Sequence, residues 1–229
     1  APQPPRREPA AAADSALVRH LESNGPATEL AISHIRHATQ GELSLANTQP
    51  FARELGGRRH VFAHNGNLPG IYRSGALALE RYRPIGQTDS EHAFCALLSR
   101  LSPLWQAQCP PTLDLRLSVL SEFAHELRAL GPANFLYADG DALFAHGHRR
   151  MQITGRAEPP GLWTRQRLCP TADAAPEHSG GASIAQAGQT VVWVASVPLT
   201  QDAWQPLADG ELVAVRAGAL LARRLATAA

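Results

Sequence analysis

Two helices in immediate succession, flanked on both sides by strand-like runs, constrain this fold more than any other feature of the sequence. Thr88-Asp89-Ser90-Glu91 opens the first helix with a capping-box pattern, a threonine whose side chain can accept a backbone N–H followed by a glutamate at the third helical position. Ala93, Phe94, Leu97, Leu98 and Leu101 then form its buried stripe. A second helix is predicted from about Thr112 to Leu130, with Leu115, Val119, Leu120, Phe123, Leu127 and Leu130 on one side and Gly131-Pro132 ending it. Before the pair, Asp14 and Ser15 followed by Leu17, Val18 and Leu21 read as a short capped amphipathic helix, and Asn24-Gly25-Pro26 stops it. Residues 30–35 and 59–64 read as strands, the second stopped by an Asn65-Gly66 corner. After the pair, residues 135–138 and 142–145 read as a hairpin about Asp139-Gly140, and residues 191–197 and 212–215 as further strands. Residues 159–181 read as loop with at most one short strand. Strands, two helices and strands again, without regular βα alternation, predict an α+β layered domain rather than a doubly wound parallel sheet.

Composition bounds the function. An apolar fraction of 44% and a charged fraction of 18% are those of a globular protein, and 229 residues suffice for a sizeable core. The formal charge of +1 gives no electrostatic footprint for nucleic acid or an anionic membrane. Every basic residue is Arg, so Schiff-base chemistry on lysine is excluded. No segment reaches the length of apolar residues needed to span a membrane, and the start of the chain lacks a signal-peptide core. Cys95, Cys109 and Cys169 form no CxxC pair, and their odd number and wide spacing fit a reducing, cytoplasmic setting. Residues 1–13, rich in Pro and Ala, are expected to be a flexible segment, leaving 14–229 as a single domain.

Chemistry concentrates in one stretch. Arg36 follows a predicted strand beside Thr39 and Gly41 and suits bidentate capture of a carboxylate, or an ordinary ion pair at a strand end. Asn65-Gly66 can offer a side-chain amide and a backbone N–H to one oxygen, as an oxyanion hole does, or make a simple turn. Asp89 can bind an ammonium group, or serve the helix N-terminus it occupies. His34, His37, His60 and His64 have no Cys or carboxylate at zinc-like spacing, which argues against a metal site. Cys95 sits on an apolar helix face and reads as a buried, inert thiol, and Cys109 and Cys169 both precede Pro in loops.

The order of the motifs says more than any one of them. Arg36-x-Ala38-Thr39-x-Gly41, Asn47-Thr48-x-Pro50-Phe51, His64-Asn65-Gly66 and Thr88-Asp89-Ser90-Glu91 follow at close spacing, with Gly86-Gln87 before the last and Pro198-Leu199-Thr200, Trp204 and Gly210-Glu211 later. In these motifs the chain resembles the class II glutamine amidotransferases of the N-terminal-nucleophile hydrolase superfamily, in their small stand-alone bacterial form. The resemblance implies a four-layer αββα sandwich, no cofactor and a small-molecule substrate, glutamine or a γ-glutamyl compound. It implies that Arg36 binds the glutamine α-carboxylate, Asp89 the α-ammonium, that Thr39 lines the pocket, and that Asn65 and Gly66 stabilise the oxyanion. An ammonia-accepting partner is implied without being named. His37, Gln40 and Gln49 depart from the family pattern, Gln49 standing where histidine is frequent before Pro50.

The same resemblance places the nucleophile on a cysteine exposed at the chain start, whose α-amino group serves as general base. The first residue here is Ala1, and no Cys precedes Arg36. The family's opening strands and Gly-Trp-Gly segment are also absent, so the expectation is a sequence without the start of its domain and inactive as it stands. Two alternatives accompany the enzyme reading: a catalytically inactive module that binds glutamine or a glutamyl compound, and a γ-glutamyl amide hydrolase of the same superfamily.

Overall fold

The computed structural model describes residues 5–9, 14–26, 28–35, 42–105, 109–169, 178–179, 182–183 and 188–226. Helix α1 (Ala16–Asn24) starts where the sequence predicts, with Ser15 Oγ accepting the Val18 N–H at 3.0 Å and Gly25 at its end. Strands β1 (Phe51–Leu55) and β2 (Arg58–Gly66) follow as a hairpin whose turn, Gly56-Gly57, takes positive φ at both residues. Helices α2 (Asp89–Leu101) and α3 (Leu113–Leu130) come next, capped by the Thr88 and Thr112 side chains. Strands β3 (Ala133–Ala138) and β4 (Leu143–Gly147) form the expected hairpin. Beyond it lie β5 (Arg150–Met151), β6 (Ala157–Glu158), β7 (Trp163–Leu168), β8 (His178–Ser179), β9 (Ala182–Ser183), β10 (Thr190–Ala195), β11 (Gln205–Pro206), β12 (Glu211–Arg216) and β13 (Ala219–Arg224).

The strands order as β1-β2-β3-β4-β12-β13 in one antiparallel sheet and as β10-β7-β11 in a smaller antiparallel one. Residue alternation decides what each face meets. Phe62, Phe135, Tyr137, Phe144 and Leu212 point to the helical layer, where Phe94, Leu97, Leu98, Leu120, Phe123 and Leu127 close over them. The Phe62 ring stacks on Phe94 at 5.4 Å and tilts against Phe135 at 5.6 Å, aromatic contacts worth about 1 kcal/mol each beyond their area. The opposite face carries Leu136, Ala145, Val213 and Leu220 against Leu162, Val194 and Leu207, next to the smaller sheet. Helices, large sheet and small sheet thus stack as layers of a mixed α+β sandwich.

Four expectations change. Residues 30–35 are not a strand: no described segment pairs with them, and a strand exists only with a partner. Asn65-Gly66 is not a corner, because β2 runs on through both residues, paired with Asn134 and Ala133 of β3. The segment 159–181, read as loop with at most one short strand, carries two, the six-residue β7 and the two-residue β8. Strands β1 and β13 were not anticipated, since each is recognisable mainly through the hairpin partner beside it.

Candidate functional site

The N-terminus of α2 and the end of β2 meet, and they do so through His64. The ring of His64 is buried, with Nε2 3.2 Å from the Pro132 carbonyl and Nδ1 2.9 Å from Ser90 Oγ. A ring nitrogen facing a carbonyl must carry the proton, so Nε2–H donates to Pro132 and Nδ1 accepts the Ser90 hydroxyl. Burial, opposed mainly by Asp89, holds the His64 pKa below its ordinary value and keeps this neutral tautomer.

Ser90 adjoins Asp89, the first residue of α2. Asp89 Oδ1 accepts the Ser90 N–H at 2.7 Å and lies 3.2 Å from Ser90 Oγ, while Oδ2 accepts the Leu68 N–H at 2.8 Å. The carboxylate therefore ties the helix start to the loop leaving β2, two residues past Gly66. The helix-terminus role foreseen for Asp89 is real, though the cap itself is Thr88, whose Oγ1 accepts the Glu91 N–H at 3.2 Å. The capping box is not closed in the usual way. Glu91 turns to the Gly86 N–H at 2.6 Å and to an ion pair with Arg53, so its buried charge is neutralised across to β1.

Asn65 and Gly66 are exposed at the end of β2. Gly66 is required there by close approach: a Cβ would lie 1.8 Å from the Pro132 carbonyl oxygen and 2.7 Å from His64 Nε2. Asn134, buried on β3, holds the same strand end by donating Nδ2–H to the carbonyls of Asn65 at 3.0 Å and Arg149 at 2.8 Å, while its Oδ1 accepts the His148 N–H at 2.8 Å. On the other edge the Gln49 carboxamide spans the His64 N–H and C=O. Asn47, buried in the preceding turn, accepts the Gln87 N–H at 2.8 Å and fastens the segment before α2 to the Asn47-Thr48-Gln49 run. Tyr72 donates to the Gln87 carbonyl at 2.9 Å, and burial followed by the Asp89 charge raises its pKa.

Asn65, Gly66 and Asp89 are thus brought to one corner. Arg36 and Thr39 lie outside the described residues; His34 has Nε2 3.2 Å from the His64 carbonyl, which puts the His34 ring at the same strand edge. Sequence reasoning missed His64, Ser90 and Asn134 as parts of the site. Ser90 was visible inside the Thr-Asp-Ser-Glu motif, whereas nothing local marks Asn134. A cavity of about 380 Å³ lined by Thr164, Arg165, Gln166, Val192, Gln205 and Arg223 shares none of these residues. Its guanidiniums are already paired, Arg165 with Asp202 and Arg223 with Glu211.

The buried cysteines lack the surroundings of a reactive thiol. Cys95 and Cys169 are both enclosed, and burial, opposed in part by Arg53, pushes the Cys95 thiol up to about 11. Cys109 is exposed in the loop between α2 and α3.

Residues 6–228 match the family model of the class II glutamine amidotransferases. The chain belongs to that family. It is 35% identical over 181 residues to the Escherichia coli (strain K12) protein named "Putative glutamine amidotransferase YafJ", covering 79% of this chain and 67% of that one. It is 34% identical over 194 residues to the uncharacterized protein MJ1515 of Methanocaldococcus jannaschii, covering 83% and 51%. Among solved structures it matches a predicted glutamine amidotransferase from Pseudomonas aeruginosa PA01 with a TM-score of 0.64 and 34% identity, over 82% of this chain and 70% of that chain. The chain spans between about half and two thirds of the length of the E. coli and M. jannaschii relatives. No helix among the described residues is long and apolar enough to cross a membrane.

Proposed function

We propose that this chain forms the glutamine pocket of a class II amidotransferase that hydrolyses the side-chain amide of glutamine. Arg36 receives the α-carboxylate, Asp89 the α-ammonium, and Thr39 lines the pocket between them. A cysteine thiolate attacks the amide carbon, and the oxygen gathers the negative charge beside the Asn65 carboxamide and the Gly66 N–H. Collapse of this adduct breaks the C–N bond, a proton passes to the departing nitrogen, and ammonia leaves. Water then hydrolyses the glutamyl thioester to glutamate and the thiol. Ammonia is consumed by an acceptor whose identity this chain does not name.

The observation that carries the reading is the Asp89–Ser90–His64 linkage. It ties a carboxylate suited to an ammonium group to the strand end bearing Asn65 and Gly66, so that the two halves of a glutamine site keep a fixed separation. Turnover of a γ-glutamyl amide other than glutamine uses the same anchors and differs only in the distal pocket.

Calorimetry and an ammonia assay on the 229-residue chain test the proposal. L-Glutamine is expected to bind without ammonia release. Asp89→Asn and Arg36→Ala are each expected to weaken binding about tenfold or more, the value of a charge-assisted contact. Unchanged affinity in either variant removes that residue from the site, and measurable ammonia release overturns the assignment of the nucleophile.

A further inference from the structure

Gln49 is one of the departures from the family pattern and has no part in the proposed chemistry, yet it is only 8% exposed. Strand β1 covers β2 as far as the pair Phe51↔Phe62 and no further. Beyond that point the Gln49 carboxamide takes the place of a strand. Its Oε1 accepts the His64 N–H at 2.6 Å, and its Nε2 donates to the His64 carbonyl at 3.1 Å. A carboxamide carries a donor and an acceptor side by side, which reproduces one rung of a backbone ladder. The turn before it is held in turn, with Asn47 Oδ1 on the Gln87 N–H and Arg7 donating to the Thr48 carbonyl at 3.1 Å.

Backbone N–H groups alternate between the two edges of a strand, so the next one on this edge belongs to Gly66. We propose that Gln49 is a positioning residue for Gly66. By binding the His64 N–H, and the His64 carbonyl that His34 Nε2 also approaches, it leaves the Gly66 N–H as the first unclaimed donor on that edge among the described residues and fixes the direction in which it points. The inference rests on Asn65 and Gly66 being the oxyanion donors, and it names the side chain that aims one of them. Neither a histidine ring, whose two nitrogens diverge, nor a hydroxyl offers the same paired geometry.

The test is amide hydrogen exchange and L-glutamine titration by NMR on the 229-residue chain, comparing wild type with Gln49→Met and Gln49→His. In Gln49→Met the His64 amide is expected to exchange about tenfold faster, with the β2–β3 ladder amides keeping their wild-type rates. The Gly66 resonance is expected to shift, and glutamine affinity to fall about tenfold. Gln49→His, which restores one of the two bonds, is expected to fall between. Unchanged His64 exchange in Gln49→Met overturns the clamp. Faster His64 exchange with an unmoved Gly66 resonance and wild-type affinity overturns the positioning role. If glutamine leaves the Gly66 resonance of the wild type unmoved, the oxyanion reading fails and the positioning role with it, while the His64 exchange still reports the clamp separately.

Discussion

Acid should destabilise this protein earlier than its carboxylates alone would, because two buried histidines must be neutral in the native state. His60 donates Nε2–H toward the Leu55 carbonyl and accepts the Tyr137 hydroxyl on Nδ1 at 2.6 Å. Burial, partly offset by Asp139, lowers its pKa to about 4. His146 binds the Ala133 carbonyl through Nδ1 at 2.7 Å, and burial, partly offset by that bond, lowers its pKa to about 3. A histidine with a lowered native pKa holds fewer protons folded than unfolded, so its contribution is intact above about pH 7 and is lost as pH falls below the unfolded value near 6.5. At about pH 5 the unfolded ring is almost fully protonated and the native ring is not, so each residue costs about 2 kcal/mol relative to neutral pH, and the two together about 4 kcal/mol. His64 and His148, also lowered by burial, add to the loss with the same sign. The assay is urea unfolding of wild type and a His60→Gln/His146→Gln double variant at about pH 7.5 and about pH 5, with linear extrapolation to water. The variant keeps the carboxylates, so the gap between the two pH dependences isolates the histidines. Equal pH dependences, or ring resonances titrating near 6.5 in the native protein, would refute the reasoning.

Two further outcomes follow from the corner itself. Gly66→Ala places a methyl group 1.8 Å from the Pro132 oxygen, so the strand end must move, and calorimetry should find glutamine binding abolished while circular dichroism stays close to wild type. Asn134→Asp removes both donated bonds and sets a carboxylate against the carbonyls of Asn65 and Arg149. It should cost about 2–3 kcal/mol in thermal or urea unfolding at neutral pH, less at acid pH where the new carboxyl protonates, and a pH-independent loss would sink this account.

What could be read from the sequence follows the range of the forces involved. Helices α2 and α3 were legible because their caps, apolar stripes and stop signals lie within one helix, at Thr88 and Thr112, Phe94 and Phe123, and Gly131. The β3–β4 hairpin was legible because Asp139 makes its turn locally, accepting the N–H groups of Asp141 and Ala142 at 2.9 Å. Strand status at Asn65-Gly66 was not. The dipeptide has turn composition, and what extends it is Asn134 and the Pro132 carbonyl, nearly seventy residues away along the chain. The run at residues 30–35 fails for the converse reason, since its alternation is present but no described strand receives it. At the site, the motif order pointed to Asp89 and Asn65-Gly66 as neighbours, whereas the Ser90–His64 bond that joins them spans a sequence separation no local pattern reports.

The end of β2 raises a problem of unpaired backbone, and its solution explains the choice of side chains around it. A strand that is to expose N–H groups for chemistry must leave the ladder at its tip, yet every buried backbone group behind the tip still requires a partner. A neighbouring strand would satisfy them all and leave nothing to present. Side-chain carboxamides satisfy them one rung at a time: Gln49 closes His64 on one edge, and Asn134 binds the Asn65 carbonyl on the other. On the Gln49 edge the amide stops short of Gly66, whereas on the other edge β3 pairs on as far as Gly66↔Ala133. A carboxylate in either place would face a carbonyl oxygen with no proton to share, and an apolar residue would strand buried polar groups at a cost of about 1–3 kcal/mol apiece. The amide chemistry proposed for Asn65 and Gly66 thus depends on two further amides that never touch the substrate.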